Sequence, residues 1–144
     1  MEQSPLEVVT VREFDAPRAE VFRAWIDSRK LERWWGPKDF TNVFHEHFPM
    51  AGGRWVFDMV APDGTKYPNE SVYLEVTAPE RIVFEHLSGH YYKATVDFEA
   101  LSEQRTRVTW SMVFDDADEF ERVKPFIVNG NRENMDRLEE VLRA

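Results

Sequence analysis

From Leu6 to Phe14 apolar and polar residues alternate and valine recurs, which predicts a strand. Asp15-Ala16-Pro17 then opens a helix with Pro17 at its first position, and Val21, Phe22, Trp25 and Ile26 form its buried face. Asp27 and Ser28 restart a second short helix. It carries Leu31, Trp34 and Trp35 and stops at Gly36-Pro37. Beyond that point the period changes to two. Phe40 to Met50 reads as a strand with Phe40, Phe44, Phe48 and Met50 on one face, and Gly52-Gly53 as a turn. Arg54 to Val60 places Trp55, Phe57 and Met59 together, and Pro62-Asp63-Gly64 is a hairpin turn. Ser71 to Thr77 gathers Val72, Leu74 and Val76, and Pro79-Glu80 turns the chain. Arg81 to Leu87 gathers Ile82, Phe84 and His86. Tyr91 to Leu101 sets Tyr92, Ala94, Val96 and Phe98 inward, and Arg105 to Phe114 does the same with Val108, Trp110, Met112 and Phe114.

Helical spacing returns at the end. Ile127, Met135, Leu138, Val141 and Leu142 form a stripe that predicts a helix from Pro125 to Arg143, with Pro125 in the first turn, where a missing N–H is no loss. The stripe is interrupted in the middle, where the inward positions are Gly130, Asn131 and Asn134. Glycine inside a helix costs about 1 kcal/mol relative to alanine. Close approach of a neighbour or a ligand is the usual compensation. The acidic run Asp115, Asp116, Asp118, Glu119 and Glu121 suits the positive end of the helix dipole, and Phe120 and Val123 read as a short helical approach to it.

The expected fold class is therefore α+β: one strand, two short helices, six further strands and one long helix. Short turns between the late strands imply an antiparallel meander. Its apolar face needs a cover. The last helix is the only element long enough, so a curved sheet wrapped round it is expected, forming a single domain over residues 1–144.

Composition narrows the function. Aromatic residues make up 14% of the chain, a high share; they can simply fill the core or equally line a pocket whose few polar groups orient a ligand. The net charge of −9 repels a phosphate backbone and an anionic lipid surface, so neither nucleic acid nor membrane is an expected partner. The absence of cysteine removes thiol catalysis and thiolate metal sites. No signal peptide or apolar spanning run is legible, which makes the cytoplasm the expected compartment.

The candidate chemistry is sparse. His45 and His47 share a strand face, but that face should be the outward one, so no metal site is expected. Glu46 falls between Phe44 and Phe48 on the apolar face, where a carboxylate has a raised pKa unless paired, and Arg12 is its candidate partner. His86 shares a face with Ile82 and Phe84 and can donate to a ligand or act as an acid–base; the alternative is a satisfied core histidine. His90, in a turn beside Gly89, is expected in solvent. No nucleophilic triad, phosphate loop or metal-ligand cluster is present, and no cofactor is implied.

Several segments carry a resemblance: Arg12-Glu13-Phe14-Asp15-Ala16-Pro17 with Val21 and Trp25, then Leu31 and Trp34-Trp35-Gly36-Pro37. Further on come Gly52-Gly53-Arg54-Trp55, Pro62-Asp63-Gly64, Glu75, Pro79-Glu80-Arg81-Ile82-Val83-Phe84 and Leu138. In this order the chain resembles the START-like helix-grip superfamily (SRPBCC), and more narrowly the AHSA-type family named for the activator of the ninety-kilodalton heat-shock protein's ATPase. The resemblance implies six to seven strands gripping the C-terminal helix over a cavity, with no fixed reaction. Phe48-Pro49-Met50 stands where that family suggests a polar residue, which implies a more apolar cavity end. The extra N-terminal domain of the eukaryotic activator has no counterpart here, which argues against a co-chaperone role.

The leading expectation is binding of an apolar or aromatic small molecule between sheet and helix. The expected ligand contacts are Trp35, Phe44, Glu46, Trp55, Phe57, Phe84, His86, Tyr92, Trp110, Gly130 and Asn134. The alternatives are a cyclase, hydrolase or isomerase using Glu46 or His86 as acid–base, and an interaction module with a chaperone partner, as the family name suggests. Whether the chain is an enzyme stays open, as does a homodimer through exposed strand or helix residues.

Overall fold

The computed structural model describes residues 6–143. The elements follow the expected order. Strand β1 (Glu7–Phe14) leads to helices α1 (Arg18–Ile26) and α2 (Ser28–Trp34). Six strands come next: β2 (Thr41–His47), β3 (Arg54–Val60), β4 (Lys66–Thr77), β5 (Arg81–His86), β6 (Tyr92–Ser102) and β7 (Arg105–Phe114). Helix α3 (Ala117–Arg143) closes the chain. The seven strands form one antiparallel sheet in the order β1-β7-β6-β5-β4-β3-β2. The meander runs from β2 to β7, and β1 closes it by pairing with β7 from Glu7↔Val113 to Phe14↔Thr106. The class is α+β and the architecture is a helix grip.

Local chemistry sets the element ends. Pro17 sits at the N-cap of α1, one position before the helix. The Asp27 carboxylate accepts from the Arg29 N–H at 2.9 Å and starts α2. Helix α3 begins at Ala117, eight residues ahead of the expected start at Pro125, because Asp116 caps it by accepting from the Glu119 N–H at 2.9 Å. Pro125 consequently lies inside the helix, where it has no N–H for the Glu121 carbonyl. The added first turns are anchored by Phe120, which is buried against Phe114 at 5.3 Å between ring centres.

The turn between β2 and β3 is tight. An added Cβ at Gly53 would lie 1.8 Å from the Phe48 carbonyl oxygen, so only glycine fits. The Gly53 N–H donates to the Met50 carbonyl at 2.7 Å, and the Tyr73 N–H donates to the Gly53 carbonyl at 2.9 Å. Phe48 and Met50, expected inward, are exposed, because the turn carries them out past the sheet edge.

The core is a chain of tryptophans. Trp25, Trp34, Trp35, Trp55 and Trp110 touch in series, with ring centres 4.8–5.5 Å apart between Trp25–Trp34, Trp35–Trp55 and Trp35–Trp110. Trp25–Trp34 meets edge to face and the other two pairs are tilted, and aromatic contacts of this kind add about 0.5–1.5 kcal/mol each beyond area burial. Trp34 donates its indole N–H to the Ala24 carbonyl at 2.9 Å, whereas those of Trp25, Trp55 and Trp110 have no partner. An unmatched buried donor costs about 1–3 kcal/mol.

Candidate ligand cavity

A cavity of about 240 Å³ lies between the inner face of the sheet and the middle of α3. Trp55, Phe57 and Met59 of β3, Ser71 of β4, His86 of β5, Tyr92 of β6 and Trp110 and Met112 of β7 form its sheet side. Ile127, Gly130, Asn131 and Asn134 form its helix side, and Trp35-Gly36-Pro37 closes one end. Phe126, 75% exposed, stands at the rim. The gap in the helix stripe thus faces the cavity. A Cβ added at Gly130 would meet nothing within 4 Å.

Helix α3 also holds the end wall. Asn134 Oδ1 accepts from the Gly36 N–H at 2.7 Å. Arg137 donates to the carbonyls of Arg33, Trp35, Gly36, Pro37 and Phe40 at 2.9–3.2 Å. Five acceptors converging on one guanidinium use its fixed fork of donors. Burial lowers the Arg137 pKa, with Asp39, Glu140 and Glu133 opposing. Gly36 has φ +98°, and an added Cβ would press on Met59 Sδ at 3.1 Å.

The polar groups of the cavity are mostly engaged. His86 Nδ1 lies 2.8 Å from the His90 carbonyl and Nε2 lies 2.9 Å from Asn69 Oδ1. The Asn69 amide is oriented by donating from Nδ2 to the Tyr67 carbonyl at 2.8 Å, so both imidazole nitrogens face acceptors. A neutral ring can donate to only one of them. Burial lowers the His86 pKa and favours that neutral ring, while the His90 carbonyl opposes. Neither nitrogen is turned free toward a ligand. Tyr92 stacks on His86 at 4.7 Å between ring centres, and burial pushes its phenol pKa well up, so it stays protonated.

Two β-bulges redirect side chains that simple alternation had assigned. In β2 the register shifts between Phe44 and Glu46, leaving His45 as the extra residue. Phe44 points inward, Glu46 outward and His47 inward again. Glu46, expected inside with Arg12, instead pairs in solvent with Arg54 at 3.2 Å, and Arg12 pairs with Asp136 of α3 at 2.9 Å. His45 faces out as expected, beside Asp58 at 3.1 Å. His47, expected outside, lies between Ser28 Oγ at 2.7 Å and Tyr73 OH at 2.9 Å. Burial lowers its pKa to about 4, with the Asp27 charge opposing. In β4 the register shifts between Tyr73 and Glu75. Ser71 and Tyr73 are therefore inside, and Val72 and Leu74, expected to form the inward face, are not.

Of the expected contacts, Trp35, Trp55, Phe57, His86, Tyr92, Trp110, Gly130 and Asn134 line the cavity. Phe84 is core behind it, and Phe44 packs on Phe57 and Trp55 away from it. Sequence reasoning missed Ser71, whose strand was assigned its opposite face, and Asn69, which lies in the first part of β4, ahead of the expected strand start at Ser71. It also missed His90, expected in solvent. Asn131 was legible as part of the helix gap. Among the described residues no group of three or more metal-ligating side chains converges, and no helix is long and apolar enough to cross a membrane.

A seven-stranded sheet gripping a long helix over an aromatic cavity defines a START-like, helix-grip protein. The chain belongs to the family described as activator of Hsp90 ATPase homolog 1-like protein, which matches residues 15–143. A solution structure of a protein from Arthrobacter aurescens is 30% identical, with a TM-score of 0.87 over 96% of this chain and 86% of its own. A crystal structure of a Nitrosomonas europaea protein is 22% identical, with a TM-score of 0.85 over 95% of this chain and 94% of its own. The AHSA1 protein from Silicibacter pomeroyi shares the fold at 20% identity and a TM-score of 0.77, over 95% and 97% of the two chains. No curated protein sequence matches the chain.

Proposed function

We propose that this protein binds an apolar or aromatic small molecule in the cavity between the sheet and α3. The observation that carries this reading is the missing side chain at Gly130. The helix gives up propensity at a position where a Cβ would enter open space, opposite the Trp55 and Trp110 wall. A packed interior has no reason to keep such a void, because atoms lining it forfeit dispersion contacts. Tryptophan and phenylalanine walls with few polar groups are the usual lining of a small-molecule site. The acid–base reading is less well supported. Glu46 is ion-paired on the outer face, and both nitrogens of His86 face protein acceptors.

Native mass spectrometry of protein purified without detergent tests the proposal, together with titration of a fluorescent apolar probe. The expected result is a co-purifying small molecule or a saturable probe site that Gly130→Leu weakens. Probe binding unchanged by Gly130→Leu would overturn the reading.

A further inference from the structure

Resting on that reading of the cavity, we infer the ligand's polar chemistry from the two asparagines in the gap of α3. The cavity accepts a neutral fused-ring compound presenting an amide edge, with its C=O to Asn134 and its N–H to Asn131. Both side chains are buried, at 6% and 4% exposure, and both line the cavity. Each has one half of its amide committed elsewhere. The Gly36 N–H can only donate, so Asn134 turns Oδ1 to it and is left with Nδ2 as its remaining group. Asn131 contacts Thr10 Oγ1 at 3.2 Å and Met112 Sδ at 3.3 Å. A thioether only accepts, so Nδ2 faces it and Oδ1 remains. Three residues apart on one helix face, the pair offers one leftover donor and one leftover acceptor to the same space. A cyclic amide, whose C=O and N–H lie side by side, is the complement of that pair.

Charge and size point the same way. Among the described residues lining the cavity none carries a carboxylate, ammonium or guanidinium group. An ionic ligand would lose its water shell with no opposite charge to replace it. An engineered apolar cavity of about 150 Å³ accommodates benzene. The roughly 240 Å³ available here corresponds to two fused rings.

Four probes of nearly one shape test this on the wild-type protein: 2-quinolone, N-methyl-2-quinolone, naphthalene and 2-naphthoate. Quenching of tryptophan emission reads binding, since Trp35, Trp55 and Trp110 line the site. The expected order puts 2-quinolone first, with each of the others at least about tenfold weaker, the loss that one unmatched buried hydrogen-bonding group produces. Asn134→Asp keeps the acceptor that Gly36 needs and replaces the amide donor with oxygen. It should abolish the preference for 2-quinolone over naphthalene. Naphthalene or 2-naphthoate binding as tightly as 2-quinolone overturns the amide-edge proposal and leaves the cavity a ligand site. If no probe binds, and the fluorescent apolar probe does not bind either, the cavity reading itself falls and takes the proposal with it. The N-methyl comparison needs no variant, so a folding failure of Asn134→Asp leaves the test intact.

Discussion

Asn134 Oδ1 and the Gly36 N–H, 98 positions apart in sequence, meet at 2.7 Å and tie the middle of α3 to the end wall of the cavity. The bond is buried, so its loss leaves a donor without water or partner. Asn134→Ala should cost about 1–3 kcal/mol in chemical denaturation. It should also weaken apolar-probe binding, because Trp35 loses its anchor. A variant as stable as the wild type would mean that the Gly36 N–H finds water.

Gly130→Leu should raise stability and lower ligand affinity together. Helix propensity alone favours leucine by somewhat less than 1 kcal/mol. The Cβ meets nothing within 4 Å, and the roughly 240 Å³ cavity that Gly130 lines leaves room for the rest of the side chain. A gain of that size corresponds to a melting temperature roughly 2–4 °C higher. A lower melting temperature would show that the larger side chain strikes the sheet and that the space is smaller than its geometry indicates.

Arg137→Met keeps an unbranched apolar stem and removes the five bonds to the loop that carries Trp35-Gly36-Pro37. Bonds from charged donors contribute about 1.5–3 kcal/mol, and water can replace part of this set. The expected loss is therefore about 2 kcal/mol. Arg137 does not line the cavity, so a drop in probe affinity in this variant reports wall positioning through the loop.

The β2–β3 turn offers a test that bypasses the cavity. Gly53→Ala places a methyl group 1.8 Å from the Phe48 carbonyl oxygen, a backbone atom that cannot swing away. The turn must open, at the upper end of the roughly 1–3 kcal/mol that overpacking costs. Unchanged denaturation midpoints in Gly53→Ala would contradict this turn geometry.

His47 makes stability depend on pH in a stated direction. Its ordinary pKa of 6.5 falls to about 4 in the fold because burial disfavours the imidazolium. Between those values the unfolded chain binds the extra proton, so stability is present above pH 6.5 and is lost as pH falls toward 4. A fully buried imidazole with this displacement would contribute about 3 kcal/mol, and partial solvent contact brings the figure nearer 1–2 kcal/mol. Both of its partners, the hydroxyls of Ser28 and Tyr73, donate or accept, so glutamine can substitute. The stability profile of His47→Gln should be flatter than that of wild type between pH 6.5 and 4. His86, whose pKa burial also lowers, supplies part of the slope that remains.

The order of elements and the inward faces of β3, β5, β6 and β7 are legible in the sequence. Their inward residues alternate without a break, the one register shift of β6 falling at its far end beyond Ala100, and all the turns between β2 and β6 carry a glycine or proline. The gap at Gly130, Asn131 and Asn134 is legible too, because helical spacing places those residues on the stripe whatever the stripe covers. The faces of β2 and β4 depend on contacts between strands. Alternation encodes a face only while register is continuous, and the bulges at His45 and Leu74 each add one residue, which sends Glu46 out and brings His47, Ser71 and Tyr73 in. A bulge is set by the neighbouring strand and the turn that joins it, as the bonds between the Gly52-Gly53 turn and Tyr73 illustrate, so no pattern along one strand announces it. The sequence separates a short approach at Phe120 and Val123 from the helix because Pro125 looks like a first-turn residue, whereas burial of Phe120 against Phe114 favours one continuous helix strongly enough to keep proline inside it. The placement of β1 beside β7 and the Arg137 clamp join segments about a hundred residues apart. Such contacts come from complementary surfaces meeting in the folded chain and leave no periodic trace in the sequence.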